Sequence, residues 1–404
     1  MIAWTSPILR GMLPYETSRL VAKITELDAW RTRLDYRGPL PRAWVGRLRR
    51  DLEAEAIAAS TSMEGVPVTV EEVRRILAGD RPAQVTPEDA ALVEGYQEAM
   101  SFALRRADAP AFRWDPELLI SLQDRIMAGG WAAGAGRFRE GPAYVVNSQR
   151  GDLVFEPPPH EIVPALIEEA CDEMNSGEGH AAIRSARIHV VIAAVHPFKD
   201  GNGRSARVAA SLAMYRGGFK LPEFTSLEEW WGRHLADYYA AFGCLGDRFD
   251  RDTDVTPFME AHIAAQLHQV RALDLRERVE RRIWIALEHI AGDAGFDQRV
   301  VNALWDAFFG REVLPRYYRP LADVSPQTAS NDLARAVAAH LLRAEGKGRA
   351  RTYGSDLPLF DSVAQVLGVS GTRGGPDDVA RALIVRELTN RATAETSPVA
   401  ITEQ

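Results

Sequence analysis

Cysteine is almost missing from this chain. Cys171 and Cys244 stand far apart in 404 residues, too few for a disulfide framework or a cysteine-rich metal site. A reduced, cytoplasmic setting is the expectation. Long apolar runs are missing too. No window approaches the roughly 18 uncharged apolar residues of a membrane span, and Met1–Tyr15 lacks the continuous apolar core of a signal peptide. Positive charge is not in excess: the formal net charge of −8 argues against a protein dominated by nucleic-acid binding. Internal repeats and a Gly-x-x-x-x-Gly-Lys-Ser/Thr phosphate loop are absent, so repeat architectures and P-loop chemistry drop out.

What the chain does have is helical periodicity. Hydrophobic residues make up 46% and charged residues 26%, ordinary values for a folded soluble protein of two or three domains. Apolar spacing predicts helices over Ser18–Arg33, Arg42–Met63, Pro87–Arg106 and Asp115–Met127. Glu64-Gly65-Val66-Pro67 should end the second of these, and Thr69-Val-Glu-Glu72 reads as a capping box opening another. The glycine-rich stretch Gly134–Gly151 interrupts the pattern, and Ala143–Asn147 and Asp152–Phe155 read as the arms of a β-hairpin. Helix resumes over His160–Asn175 and over the strongly apolar Arg184–Val195, which should lie at the centre of a bundle.

That apolar helix leads into His196-Pro-Phe-Lys-Asp-Gly-Asn-Gly-Arg-Ser-Ala-Arg207. Gly201-Asn202-Gly203 precedes a renewed helical pattern, so backbone N–H groups and a helix N-terminus can converge on one anion, as phosphate requires. Arg204 and Arg207 are three apart at the helix opening and project on one face, where guanidinium forks pair with phosphate oxygens. Asp200 is one carboxylate beside that loop, a metal site only in company with a polyphosphate and water. His196 can take a proton near neutral pH. Together these residues describe transfer of a nucleotidyl or phosphoryl group.

The run resembles the Fic motif, His-x-Phe-x-Asp/Glu-Gly-Asn-Gly-Arg-x-x-Arg, at every defining position, and the resemblance covers about Asp115–Gln266. It implies a mainly α fold: a Fic-type helical bundle with a small β-hairpin flap. It implies protein adenylyltransferase activity, moving AMP from ATP, with Mg2+, onto a Ser, Thr or Tyr hydroxyl of a target protein. His196 would then be the base and Asp200 the metal ligand. Gly201, Asn202, Gly203, Arg204, Ser205 and Arg207 would bind the nucleotide. The hairpin, with Val145, Val146 and Asn147, resembles the flap that docks a target segment as an added strand. Tyr238 and Tyr239 resemble the tyrosine pair beside the adenine.

Ser60-Thr-Ser-Met-Glu64-Gly65 resembles the family's inhibitory pattern, Ser/Thr-x-x-x-Glu-Gly/Asn, in the class whose inhibitory helix lies in the same chain, here about 42–65. A carboxylate presented to the phosphate pocket can pair bidentately with Arg207 and repel the γ-phosphate. In some relatives the same glutamate supports removal of AMP.

Beyond Leu275 the expected elements are helices over Arg281–Ile290 and Asp297–Phe309, a Ser325-capped helix running to Leu342, and a hairpin over Arg343–Tyr353. That order suggests a winged helix-turn-helix. Arg343, Lys347, Arg349 and Arg351 make its wing basic; Gln327, Asn331 and Arg335 are candidate base readers, while Asp332 should oppose phosphate contact. DNA binding is less favoured than docking or homodimerisation. The expected domains are 1–114 with the inhibitory helix, 115–275 as catalytic core, 276–355 as winged module, and a partly disordered 356–404, frayed from Thr389. The rival readings are a DNA-binding regulator with a secondary Fic core, and a Fic enzyme that removes AMP or uses another nucleotide donor.

Overall fold

The structure is a computed structural model that describes residues 11–35, 42–127, 134–146, 152–348, 351–369 and 376–394. The chain divides into two compact units, Met1–Arg271 and Ala272–Gln404. The N-terminal helices and the expected core therefore share one unit rather than forming separate regions.

In the first unit the helices are α1 (Val21–Asp35), α2 (Arg42–Ser62), α3 (Val70–Leu77), α4 (Pro87–Ala107), α5 (Pro116–Ile126), α6 (Val163–Asn175), α7 (Ala181–Val195), α8 (Asn202–Arg216), α9 (Leu227–Arg233) and α10 (Leu235–Ala241). Local chemistry sets many of their ends. Thr69 and Glu72 form the capping box read from the sequence, and Thr86 and Asp115 cap α4 and α5, each followed by a proline at the first helical position. A less expected cap opens α7: the His180 ring accepts the Ala182 N–H at 3.1 Å through Nδ1, which leaves Nε2 to donate to Asp28 of α1 at 3.2 Å.

α7 and α8 make the most extensive helix–helix contact. Nearly every α7 side chain is buried, so its weak amphipathicity follows from its central position. Two glycines permit close approach. A side chain at Gly217 would collide with Ala181 where α8 returns to the start of α7, and a Cβ at Gly232 would meet that of Ala59 at 2.8 Å, where α9 crosses α2. The hairpin is present as β1 (Val145–Val146) and β2 (Leu153–Phe155), antiparallel, with Val145 opposite Phe155. Glu156 is tied to the Asp247–Phe249 segment by two backbone hydrogen bonds, Glu156 N to Asp247 O at 2.9 Å and Phe249 N to Glu156 O at 2.8 Å.

The division between units falls within α11 (Thr256–Asp293), a helix of 38 residues. The helix expected over Arg281–Ile290 is its end. No glycine or proline interrupts it between Phe258 and Ala291, and pairs such as Arg276–Glu280 at 2.7 Å and Arg278–Asp274 at 2.9 Å line its turns.

The second unit continues with α12 (Val301–Phe308), α13 (Pro315–Ala322), α14 (Pro326–Ala338), β3 (Leu342–Glu345), β4 (Thr352–Ser355), α15 (Leu357–Leu367) and α16 (Asp377–Ala394). Three helices then a hairpin is compatible with the winged arrangement, and Val313 adds an antiparallel bridge to Tyr353.

Three expectations change. α14 stops at Ala338 rather than Leu342, because His340 takes a positive φ of 56° and Leu342 already belongs to β3. Helix continues past Thr389 to Ala394, since Ala380, Ile384, Leu388 and Ala392 form a buried i, i+4 row. Asp332 does not face outward against phosphate: it is buried, paired with Arg299 at 2.8 and 3.1 Å and bonded by the Tyr318 hydroxyl at 2.8 Å. In the wing, Arg343 is held by Glu345 and Asp377, and Arg349 lies outside the described residues. Among the described residues no helix is long and apolar enough to cross a membrane.

Candidate active site

The loop between α7 and α8 is closed by its own side chains. His196 ends α7 in the left-handed region, with φ 50° and ψ 58°, a conformation that costs a non-glycine residue about 1–3 kcal/mol unless its surroundings enforce it. Here they do. Asn202 takes the Phe198 N–H on Oδ1 and donates Nδ2 to the Phe198 carbonyl, both at 2.9 Å, while the Phe198 ring is fully buried. Arg139, a buried arginine with no apparent role in the sequence, donates Nε to the His196 carbonyl at 2.8 Å and its backbone N–H to the Pro197 carbonyl at 2.9 Å.

The His196 ring is half-buried, and its Nδ1 lies 3.4 Å from the Ala193 carbonyl. A carbonyl can only accept, so Nδ1 carries the proton and Nε2 is left with a free lone pair. Burial holds the imidazole below its ordinary value, against the Ala193 hydrogen bond, which favours the charged form. The ring is therefore neutral near pH 7 and able to accept a proton.

Gly201 caps α8 with a φ of 80°, which suits glycine, and its N–H is bound by the Asp200 carboxylate. Gln123 of α5 donates to the Asp200 carbonyl at 3.0 Å and accepts the Gly136 N–H at 2.8 Å, pinning the loop from beneath. The Asp200 side chain is 60% exposed, with Oδ1 lying 3.4 Å from Arg204. Arg204 is buried, and two of its guanidinium nitrogens, Nε and one terminal nitrogen, have no hydrogen-bond partner. Unpaired donors at this place suit phosphate oxygens. Ser205 is buried in the first turn of α8.

Arg207 is the most heavily bonded residue of the run. Its Nε donates to Ser60 Oγ at 2.9 Å, one terminal nitrogen to the Ser60 carbonyl at 3.0 Å and to Glu64 Oε1 at 2.8 Å, and the other to the Tyr238 hydroxyl at 3.1 Å. Burial opposes its charge, but Tyr238, Glu64 and Tyr96 more than offset this and raise its pKa above the ordinary arginine value. Glu64 reaches from the end of α2 to lie over Gly203, where any side chain would collide with Oε1. Its carboxylate thus lies against the first turn of α8, beside the glycine loop. The contact is single rather than the bidentate pair expected, because Ser60 takes Nε and the Tyr238 hydroxyl takes the second terminal nitrogen.

Tyr238 and Tyr239 part company. Tyr238 is buried on α10, bonded to Arg207 and 3.3 Å from His189 Nε2, and burial pushes its hydroxyl up to about 12. Tyr239 is 55% exposed and donates to the Met63 carbonyl at 3.3 Å. Of the flap residues, Val145 is half-buried and Val146 is 52% exposed; Asn147 lies outside the described residues. Among the described residues no cluster of three or more His, Cys, Asp or Glu side chains could hold a metal ion unaided. Asp200 therefore fits Mg2+ only with phosphate oxygens and water completing the shell.

Residues 113–214 match the Fic/DOC family. Over 126 residues the chain is 32% identical to protein adenylyltransferase fic-1 of Caenorhabditis elegans, and over 125 residues 30% identical to that of Caenorhabditis briggsae. Each match covers 30% of this chain and 23% of the relative, so the chain matches about a quarter of those proteins' length. Among solved structures, a Fic family protein from Desulfovibrio desulfuricans covers 87% of this chain and 98% of its own, with a TM-score of 0.52 at 22% identity. Fic-1 from C. elegans covers 64% and 72%, with a TM-score of 0.53 at 20% identity. At those identities the structures speak for the fold. By sequence match and by fold, this chain carries a Fic/DOC family domain over residues 113–214.

Proposed function

We propose that the chain transfers AMP from ATP to a hydroxyl of a target protein and that Glu64 holds this activity down. The observation that carries the reading is the Glu64 carboxylate lying over Gly203 and bonded to Arg207, which marks the loop as an anion site already satisfied by an internal anion. Its similarity to relatives named protein adenylyltransferases makes ATP the favoured donor.

In the active state the Gly201–Gly203 backbone and the α8 N-terminus receive the phosphates, with Arg204 and Arg207 on the outer ones. His196 Nε2 takes the proton of the acceptor hydroxyl as its oxygen bonds to the α-phosphorus. The bond from that phosphorus to the bridging oxygen breaks, and diphosphate leaves. Asp200, with the phosphates, would hold Mg2+, which neutralises charge on the leaving group. β1, with Val146 exposed, offers an edge on which an extended target segment can lie.

The test is incubation of the Glu64→Gly protein with labelled ATP and a cell lysate, followed by mass identification of adducts. Transfer above the wild-type level, abolished in Glu64→Gly with His196→Ala, is the expected result. No adduct with any nucleoside triphosphate overturns the reading.

A further inference from the structure

We infer that Tyr144 is a self-modification site, a phenol that accepts AMP from the chain's own active centre; this rests on the reading above. One cavity runs from the His196 loop to the flap, lined by Gly134 and the segment Arg137–Tyr144 together with His196 and Lys199. Its lining residues are glycine, arginine, phenylalanine, glutamate, proline, alanine, lysine, His196 and Tyr144, so among the described residues Tyr144 brings the one side-chain hydroxyl to the cavity that the candidate base also lines.

One observation keeps the backbone leading to that phenol near the base, and another leaves the phenol free to react. The Arg139 guanidinium donates to the His196 carbonyl and, through another nitrogen, to the Gly141 carbonyl, each at 2.8 Å. One rigid planar group therefore fixes Gly141 beside the base. Tyr144 follows three residues later, a span of at most about 10 Å. Its side chain is 56% exposed and makes no hydrogen bond among those described. Other hydroxyls near the site are already engaged or enclosed: Tyr238 bonds Arg207, Tyr239 bonds Met63, and Ser205 is buried within α8.

The step balances within the proposed chemistry. The Tyr144 phenolic oxygen bonds to the α-phosphorus of ATP, its proton passes to His196 Nε2, and diphosphate departs with the electrons of the broken bridging bond. A tyrosyl phosphodiester remains. An acceptor held in the same cavity reacts without the entropy cost of bringing in a second molecule. The product would place a nucleotide in that cavity beside β1, where a target strand would lie, so the chain would limit its own further turnover.

The experiment uses the full chain as Glu64→Gly with ATP and Mg2+ and no other protein, read by intact mass and by fragmentation of the tryptic peptide Glu140–Arg150. The peptide's other hydroxyl is Ser148, which fragmentation separates from Tyr144. The expected result is one AMP on Tyr144, formed at a rate independent of protein concentration, and lost both in Tyr144→Phe and in His196→Ala. Thermal shift with ATP reports that Tyr144→Phe is folded. Adducts confined to other residues, or unchanged stoichiometry in Tyr144→Phe, overturn the inference. Labelling of lysate proteins with none on Tyr144 overturns this inference alone, whereas no adduct on any protein removes the adenylyltransferase reading as well.

Discussion

Each unit contains an arginine facing a carboxylate, and the two pairs are built differently. In the second unit Arg299 gives two nitrogens to the two oxygens of Asp332, at 2.8 and 3.1 Å, with the Tyr318 hydroxyl on the same carboxylate, whose side chain is 5% exposed. In the first unit Arg207 gives Glu64 one nitrogen at 2.8 Å, and that carboxylate is 26% exposed. Arg207 itself does not depend on Glu64, because Ser60 and Tyr238 hold its other nitrogens. A carboxylate gripped on all sides is a structural part. One resting on an arginine that others already position can leave without collapse, and this is the construction a displaceable inhibitor needs.

The largest effect expected is at the displaceable pair. A hydrogen bond between charged partners contributes about 1.5–3 kcal/mol, so Glu64→Gly should raise AMP transfer roughly 10- to 100-fold. Labelling rates under saturating ATP measure this, and the melting temperature should barely move. At the gripped pair the signs reverse. Asp332→Ala leaves Arg299 and Tyr318 without their acceptor and should lower the stability of the second unit by about 2 kcal/mol, discounted because Arg299 is partly exposed. Hydrogen exchange over α12 and α14 reads that loss, with transfer unchanged within twofold. A large rise in transfer from Asp332→Ala, or unfolding of the first unit by Glu64→Gly, would erase the distinction.

Acid should separate the units next. His189 and His262 are buried in the first unit; burial holds His189 well below the ordinary value of 6.5 and His262 at about 3. The folded state keeps them neutral while the unfolded chain takes up protons, so the first unit loses stability as pH falls from 6.5 toward 3. Each of the two costs roughly 1.4 kcal/mol per pH unit within its window. In the second unit His289 and His340 are exposed. Its gripped carboxylate, Asp332, is buried, which acts against ionisation, but bonding to Arg299 and Tyr318 lowers it below the ordinary 3.8, so that contribution disappears only at still lower pH. Exchange rates followed from pH 7 to 4 should show the first unit opening earlier. Simultaneous opening would mean that carboxylates, not these histidines, govern acid stability.

The order of legibility in the sequence follows the range of the interactions. Thr69 with Glu72 and the Gly201–Gly203 opening of α8 were readable because their partners lie within a few residues. The pairing of Glu64 with Arg207 was reachable only through a resemblance, since 143 residues separate them. Arg139 and Gln123 left no local signal: each binds backbone of the His196 loop, and backbone acceptors have no side-chain identity to recognise. Asp332 was misjudged for the related reason that helical spacing gives a face but not what packs on it. The length of α11 was missed because a change in composition near Leu275 looked like a boundary, although no helix breaker accompanied it.

The smallest effect should come from Ser60→Ala, and it bears on how the displaceable pair opens. Ser60 binds Arg207 from α2, the helix that also carries Glu64 to its end. If the whole helix withdrew on activation, Ser60 would stabilise only the resting state, and losing its hydroxyl, about 0.5–1.5 kcal/mol, would raise transfer several-fold. Ser60 and Thr61 are fully buried, however, and α2 packs on α4, α8 and α9. Only the Glu64 side chain has room to swing. Ser60 then supports Arg207 equally with Glu64 or with a phosphate in place, and the ratio of Glu64→Gly to wild-type transfer should stay within about twofold when Ser60→Ala is added to both. What should change is ATP affinity in the Glu64→Gly background, weakened roughly three- to tenfold, since Arg207 loses one of its supports. Titration of ATP against that pair of variants separates a moving side chain from a moving helix.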